Sequence, residues 1–244
     1  MSSDESPSPQ RSQALALLPD QGVAELLFLL FHGAGADATQ MRPLAQALRQ
    51  QYPRAAVLAL AGPEPYDLIP GGGAGLQWYS LAGADDDNHA RRVAAAMPGF
   101  VALVRAWSAH FELPWQQVAL AGFSQGAVMA LEAVQAELQL AGRVLAFGGA
   151  YATLPEHAPQ EVCVHLLHGQ QDAVLPYRDQ VAAAKRLIAL GADVTADVLP
   201  EIGHELHPQL IERALEQLRS FVPARVWREA MQAAEDQGLK PPLQ

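Results

Sequence analysis

The feature that most constrains this chain is Gly122-Phe123-Ser124-Gln125-Gly126, set between an apolar run at residues 117–121 and a helical pattern at 127–132. A Gly-x-Ser-x-Gly between a strand and a helix is a nucleophile elbow. The serine sits in a strained, positive-φ turn, so its neighbours two residues away must lack a Cβ. The turn leaves its Oγ exposed at the positive end of a helix. The pentapeptide recurs by chance, so its specificity has to come from its flanks and from the order of the motifs downstream of it.

Composition bounds the rest. A chain of 244 residues, half of them hydrophobic and 17% charged, can bury one large α/β core. A net charge of -10 argues against nucleic acid and anionic membrane surfaces as partners, because both need basic patches. The one cysteine, Cys163, lies in the apolar run Val162-Cys163-Val164 and reads as a small buried hydrophobe rather than a thiol nucleophile. No apolar stretch reaches the roughly 20 residues that span a bilayer, so no membrane insertion is expected. The N-terminal residues lack a basic region followed by an apolar one, and a cytoplasmic protein is the default expectation.

Residues 1–12, rich in Ser, Pro and acid, read as disordered. Residues 14–18 and 24–31 read as a strand pair joined by the turn Pro19-Asp20-Gln21-Gly22. Further strands are expected at 55–60, 144–147, 162–167 and 194–199, besides the one before the elbow. Helices are expected from Arg42 to Gln51 behind Pro43, over 88–111 with a kink or split at Pro98-Gly99, over 177–190 closed by Gly191, and over 207–221. Strands alternating with helices imply a mostly parallel sheet covered on both faces over residues 13–223, and with the elbow the expected topology is that of an α/β-hydrolase. The stretch 62–87 loses periodicity and reads as a long functional or mobile loop, a lid being one of its open roles. Residues 224–244 form a C-terminal extension with an amphipathic helix carrying Val226, Trp227, Ala230 and Met231. That helix packs on the flank of the domain, makes a homodimer contact, or caps the site.

A nucleophilic serine needs a base, and the base an orienting carboxylate. In this topology the order is serine, acid, histidine, each at the carboxyl end of a strand. The strand at 162–167 ends in His168-Gly169-Gln170-Gln171-Asp172, and the last strand in Pro200-Glu201-Ile202-Gly203-His204. Ser124, Asp172 and His204 are therefore the expected catalytic triad, with His204 moving the proton and Asp172 fixing its tautomer. Gly203 is expected to let the backbone pass close to the elbow. His207 is expected to begin the last helix, and Asp193 and Asp197 lack an apolar strand immediately before them. His32 and His168 read as loop-packing histidines. His204-Glu205-Leu206-His207 has the wrong spacing for a zinc site, so no metal is expected. The run Gly71-Gly72-Gly73-Ala74-Gly75 has neither the strand before it nor the helix after it that a dinucleotide fingerprint needs. An oxyanion hole requires two amides, expected from Gln125 and from Ala34 in His32-Gly33-Ala34-Gly35.

Taken together, residues 31–37, 122–131, 168–172 with Val174 and Pro176, and Gly203-His204 resemble the phospholipase/carboxylesterase family, which includes the acyl-protein thioesterases. Gln77-Trp78-Tyr79-Ser80, Asp87-Asn88, Ala90-Arg91, Ala146-Phe147, Tyr151-Ala152 and the C-terminal extension resemble its bacterial YpfH-type esterase branch. Ala36 and Gln77-Trp78 depart from the usual thioesterase pattern. The resemblance implies hydrolysis of small-molecule carboxylic esters with short to medium acyl chains, through an acyl-enzyme and without metal or cofactor. Leu68, Ile69, Leu76 and Trp78 on the long loop, with Leu175 beside Asp172, are the expected acyl-pocket residues. An acyl-thioesterase or lysophospholipase on the same triad is the alternative, and a non-catalytic binding module on a hydrolase scaffold a third reading.

Overall fold

Uninterrupted apolar runs such as Leu26–Phe31 and Ala55–Leu60 are buried along almost their whole length, the pattern of strands covered on both faces. The computed structural model describes residues 13–69, 74–85 and 87–236, and the expected disorder of residues 1–12 lies outside them. The strands are β1 (Gln13–Leu17), β2 (Leu26–Phe31), β3 (Ala55–Leu60), the short pair β4 (Glu64–Pro65) and β5 (Leu76–Gln77), β6 (Val118–Phe123), β7 (Arg143–Phe147), β8 (Cys163–Gly169) and β9 (Asp193–Leu199). The α-helices are α1 (Arg42–Gln51), α2 (His89–His110), α3 (Gln125–Ala136), α4 (Tyr177–Ala189), α5 (Pro208–Ser220) and α6 (Ala224–Asp236).

The main sheet has the order β1-β3-β2-β6-β7-β8-β9, parallel throughout except for β1. Alternate residues of each strand serve opposite cores. Leu27, Leu29 and Phe31 of β2 pack with α2, α3 and α4, while Phe28 and Leu30 pack with α1 and α5. Each large side chain so buried contributes roughly 1.5–3 kcal/mol. From β2 the chain runs outward to β3, then crosses back through α2 to lay β6 on the other side of β2. The connections after β2 and β6 therefore leave in opposite directions, which opens a crevice at the carboxyl ends of these two strands.

Two expectations about the elements need correction. β1 does not pair with β2: it pairs antiparallel with β3, with Ala16 opposite Leu58. Both edges of β2 are occupied by parallel neighbours, β3 and β6, so the free edge of β3 is the one left for β1. Pro98 does not split its helix, since α2 is continuous over 22 residues. Pro98, Gly99 and Ala94 all lie on the exposed side, so the carbonyl deprived of its donor faces water. Val93, Met97, Phe100, Val104 and Trp107 meanwhile hold the opposite face in the core.

α6 is tethered where the Ala224 amide donates to the Asp193 carboxylate. Its apolar residues Val226, Trp227 and Met231 are exposed, so this side of the helix is not buried on the domain's flank. Among the described residues no helix is long and apolar enough to cross a membrane.

Candidate active site

The turn at the end of β6 is forced by sterics. A Cβ on Gly122 would stand 2.2 Å from the Gly126 carbonyl, and one on Gly126 would stand 2.2 Å from the Phe31 oxygen. Between them Ser124 takes φ 53° and ψ −118°, a left-handed conformation that costs a non-glycine residue about 1–3 kcal/mol. The Ser124 amide donates to the Phe147 carbonyl of the neighbouring strand at 2.9 Å, which holds the turn against that strain. Its side chain projects at the N-terminus of α3, at the crevice between β2 and β6.

The two loops beyond β8 and β9 converge on the same edge. His204 Nε2 lies 2.9 Å from Ser124 Oγ, and His204 Nδ1 lies 2.7 Å from Asp172 Oδ2. The Phe123 ring stands 4.9 Å from the imidazole, centroid to centroid, and limits its tilt. The close backbone approach expected at Gly203 belongs instead to Gly169. A Cβ on Gly169 would sit 2.3 Å from the Ile202 oxygen, whereas one on Gly203 would meet nothing nearer than 4.0 Å. Gly169 is thus the position that lets the turn bearing His204 settle on the end of β8.

Asp172 is held from several sides. Its Oδ1 accepts the Val174 and Leu175 amides at 2.9 and 2.8 Å. Its Oδ2 is bonded to His204, and the ring of His168 brings its Nε2 to within 3.1 Å of the same oxygen. The Asp172 side chain has no solvent exposure. Burial is the largest influence and works against its charge, but the His204 hydrogen bond and the Leu175 and Val174 amides together hold the carboxyl below its usual range. His168, fully buried, also has its Nε2 2.9 Å from the Leu175 carbonyl, which ties ring, loop and carboxylate into one unit. From its flanking glycine alone His168 reads as a loop-packing residue, and its position four residues before Asp172 is the sequence signal for a closer role.

Ala34 lies in the loop after β2. The Gly33 amide donates to Gln40 Oε1 at 2.8 Å and the Gly35 amide to the Leu76 carbonyl at 2.9 Å, leaving the Ala34 amide between two occupied ones. A Cβ on Gly33 would be 3.2 Å from Ser124 Cβ, so this loop lies directly against the elbow. Gln125, the first residue of α3, carries the other expected amide.

The expected pocket residues divide. Leu68 and Ile69 are about half exposed, and Leu76 and Leu175 are partly buried. Trp78 does not present its ring to a pocket. It is 3% exposed, packed against Phe31 and Phe100, with its indole N–H donated to the His32 carbonyl. A groove of about 620 Å³ between α2 and α3, lined by Val93, Met97, Pro98, Val101 and Ala136, shares no residue with the Ser124 cluster. The glycine run begins in residues 70–73, which lie outside the described residues. The rival acids and bases are engaged elsewhere. His207 caps α5 by accepting the Gln209 amide, Asp197 faces Arg213 and Gln217, and the buried His32 accepts the Gly62 amide. Among the described residues no group of three or more His, Cys, Asp or Glu side chains could hold a metal ion.

The model of the phospholipase/carboxylesterase family matches residues 17–222. The chain belongs to the phospholipase/carboxylesterase family. Within and around this family, the chain is 40% identical to Esterase YpfH of Escherichia coli (strain K12) over 213 residues, covering 87% of this chain and 90% of that protein. Acyl-protein thioesterase 1 of Gibberella zeae is 27% identical over 118 residues, covering 45% of this chain and 50% of that one. Among solved structures, esterase PE8 superposes with a TM-score of 0.77 at 26% identity, covering 86% of this chain and 99% of its own. A carboxylesterase from Mesorhizobium loti shares the fold, with a TM-score of 0.67 at 18% identity, covering 81% and 90%.

Proposed function

We propose that this chain is a serine esterase that hydrolyses small carboxylic esters, with short to medium acyl chains, through an acyl-enzyme intermediate. The observation that carries the reading is the hydrogen-bonded series Ser124 Oγ, His204 and Asp172, with spacings of 2.9 and 2.7 Å, at the mouth of the β2/β6 crevice. Membership of the phospholipase/carboxylesterase family and the resemblance to a named esterase support the ester as the bond cleaved.

In this mechanism His204 Nε2 takes the Ser124 proton as Oγ attacks the ester carbonyl. The carbonyl oxygen gains charge and turns toward the Gln125 and Ala34 amides, in an oxyanion hole where each donor contributes most in the transition state. His204 then gives the proton to the departing alkoxide, and the acyl group stays on Ser124. Water, deprotonated by the same imidazole, attacks the acyl-enzyme; the bond from Ser124 Oγ to the acyl carbon breaks, His204 returns the proton to Oγ, and the carboxylic acid leaves. Asp172 stays ionised throughout, keeps the Nδ1 proton in place and stabilises the imidazolium. No step requires a metal or an organic cofactor.

Leu68, Ile69, Leu76 and Leu175 remain the proposed apolar lining for the acyl chain. A hydrophobic slot discriminates by only about 1–3 kcal/mol per methylene, so chain-length preference is graded rather than absolute. The partial likeness to an acyl-protein thioesterase favours thioesters as a second substrate class on the same residues. Turnover of p-nitrophenyl esters from acetyl to decanoyl tests the reading. Wild type should give a smooth optimum at short to medium chains, and Ser124→Ala should lose about 10⁴-fold or more in kcat. A folded Ser124→Ala variant with wild-type turnover would refute it.

A further inference from the structure

The segment 76–79 bridges the two halves of the proposed oxyanion hole, and the bridge is made by side chains outside the triad. Gln125, whose backbone amide is one proposed donor, is only 4% exposed. Its Oε1 accepts the Trp78 amide at 2.7 Å, and its Nε2 donates to the Tyr79 carbonyl at 2.8 Å. The planar amide therefore ties down the backbone of two successive residues. From there the Trp78 indole Nε1 donates to the His32 carbonyl at 2.9 Å, two residues before Ala34, which carries the second proposed donor. Leu76 closes the other side of that loop, accepting the Gly35 amide at 2.9 Å and donating to the Ala36 carbonyl at 2.8 Å.

The seating is tight. A Cβ on Gly75 would fall 2.1 Å from the Gly35 oxygen, and one on Gly62 would fall 2.5 Å from the Gln77 oxygen. The loop that carries Ala34 needs such support, because Gly33 and Gly35 flank it and Gly35 takes φ 77°, and glycine gives the backbone wide freedom. The His32 ring adds a last strut, with Nε2 accepting the Gly62 amide at 2.9 Å.

We infer that the Gln125 side chain and the Trp78 indole are positioning residues that set the distance between the Gln125 and Ala34 amides. The inference rests on the esterase reading, in which those amides receive the oxyanion. Donors that stabilise a developing charge work through fixed geometry, and a misplacement of about 1 Å can cost a hundredfold in rate. Neither side chain touches the substrate, so their loss acts on the transition state and leaves ground-state binding in place.

The test uses the full chain with two substitutions. Trp78→Phe removes the indole donor and keeps an aromatic ring facing Phe31 and Phe100. Gln125→Glu keeps the shape and turns a donor toward Tyr79 into a carboxylate oxygen. Each is measured for kcat and KM on p-nitrophenyl butyrate, for melting temperature, and for inhibition by an alkyl trifluoromethyl ketone. The ketone forms a hemiketal with the serine, and its oxyanion occupies the same hole. The expected result is a fall in kcat of about ten- to a hundredfold with KM within about twofold, and a rise in the ketone's Ki by the same factor. Should Gln125→Glu fail to fold, Trp78→Phe alone decides the matter. Folded variants with kcat within about twofold of wild type would overturn the inference. So would a loss of kcat with an unchanged Ki, which would put the defect outside the oxyanion hole. A wild type that is neither inhibited by the ketone nor modified at Ser124 by a fluorophosphonate would overturn the esterase reading itself, a separate failure.

Discussion

At the scale of single residues, the site depends on how completely Asp172 is surrounded. Two backbone amides, His204 and His168 converge on one buried carboxylate. That environment keeps it ionised and aims its Oδ2 at the imidazole that faces Ser124. Asp172→Asn preserves the shape but allows the wrong imidazole tautomer, and should lower kcat on a butyrate ester by about 10⁴-fold with little change in melting temperature. His168→Gln tests the outer partner. With a shorter reach to Asp172 it should lower kcat about tenfold while KM stays near wild type. An unchanged kcat would return His168 to a packing role.

At the scale of elements, short glycine positions decide which loops can meet. Gly122 and Gly126 permit the elbow, and Gly169 permits the turn before His204. Gly169→Ala should therefore cost about 3 kcal/mol or more in urea unfolding, because backbone must move to admit the methyl group. Gly203→Ala, with open space around its Cβ and no positive φ, should change stability by no more than about 0.5 kcal/mol. The reverse ranking would contradict the described turn. These elements also show what the sequence discloses. The elbow, the alternation of strands and helices along the chain and the placing of Asp172 and His204 after β8 and β9 were legible, because each is a local pattern whose chain order matters more than its distant contacts. The β1 partner was not legible, because residues 19–22 look like a hairpin turn while the choice of edge is made by β6 far along the chain. Trp78 was misread for a related reason. A loop without periodicity says nothing about burial, and the Gln125 side chain that fixes it lies 47 residues away. The exchange of Gly203 for Gly169 shows the same limit, since a glycine's neighbour in space is not marked in its flanking residues.

At the scale of the whole molecule, the sheet ties a buried polar group to the stability of the fold. His165 on β8 is fully buried, with Nδ1 2.9 Å from Thr195 Oγ1, Nε2 3.1 Å from the Arg143 guanidinium and its ring against Phe221. Burial first, and the Arg143 charge second, push its pKa from 6.5 down to about 3. Between those values the unfolded chain binds a proton at this site that the folded chain refuses, so stability is lost as pH falls through the window. The loss approaches about 1.4 kcal/mol per pH unit. Urea unfolding at intervals from about pH 7 to pH 4 should give a shallower slope for His165→Gln than for wild type. Parallel slopes would show that His165 does not contribute to acid sensitivity.

In the proposed mechanism a strained serine, carried by an elbow between β6 and α3, stands opposite a base delivered by the far end of the sheet. The most direct test of this mechanism is reaction with a fluorophosphonate and subsequent peptide mapping, in wild type and in Ser124→Ala. One covalent adduct on Ser124, formed together with loss of butyrate-ester turnover, is expected in wild type, and no adduct in the variant. A folded wild type that stays unmodified, or an adduct on any other residue, would contradict the mechanism.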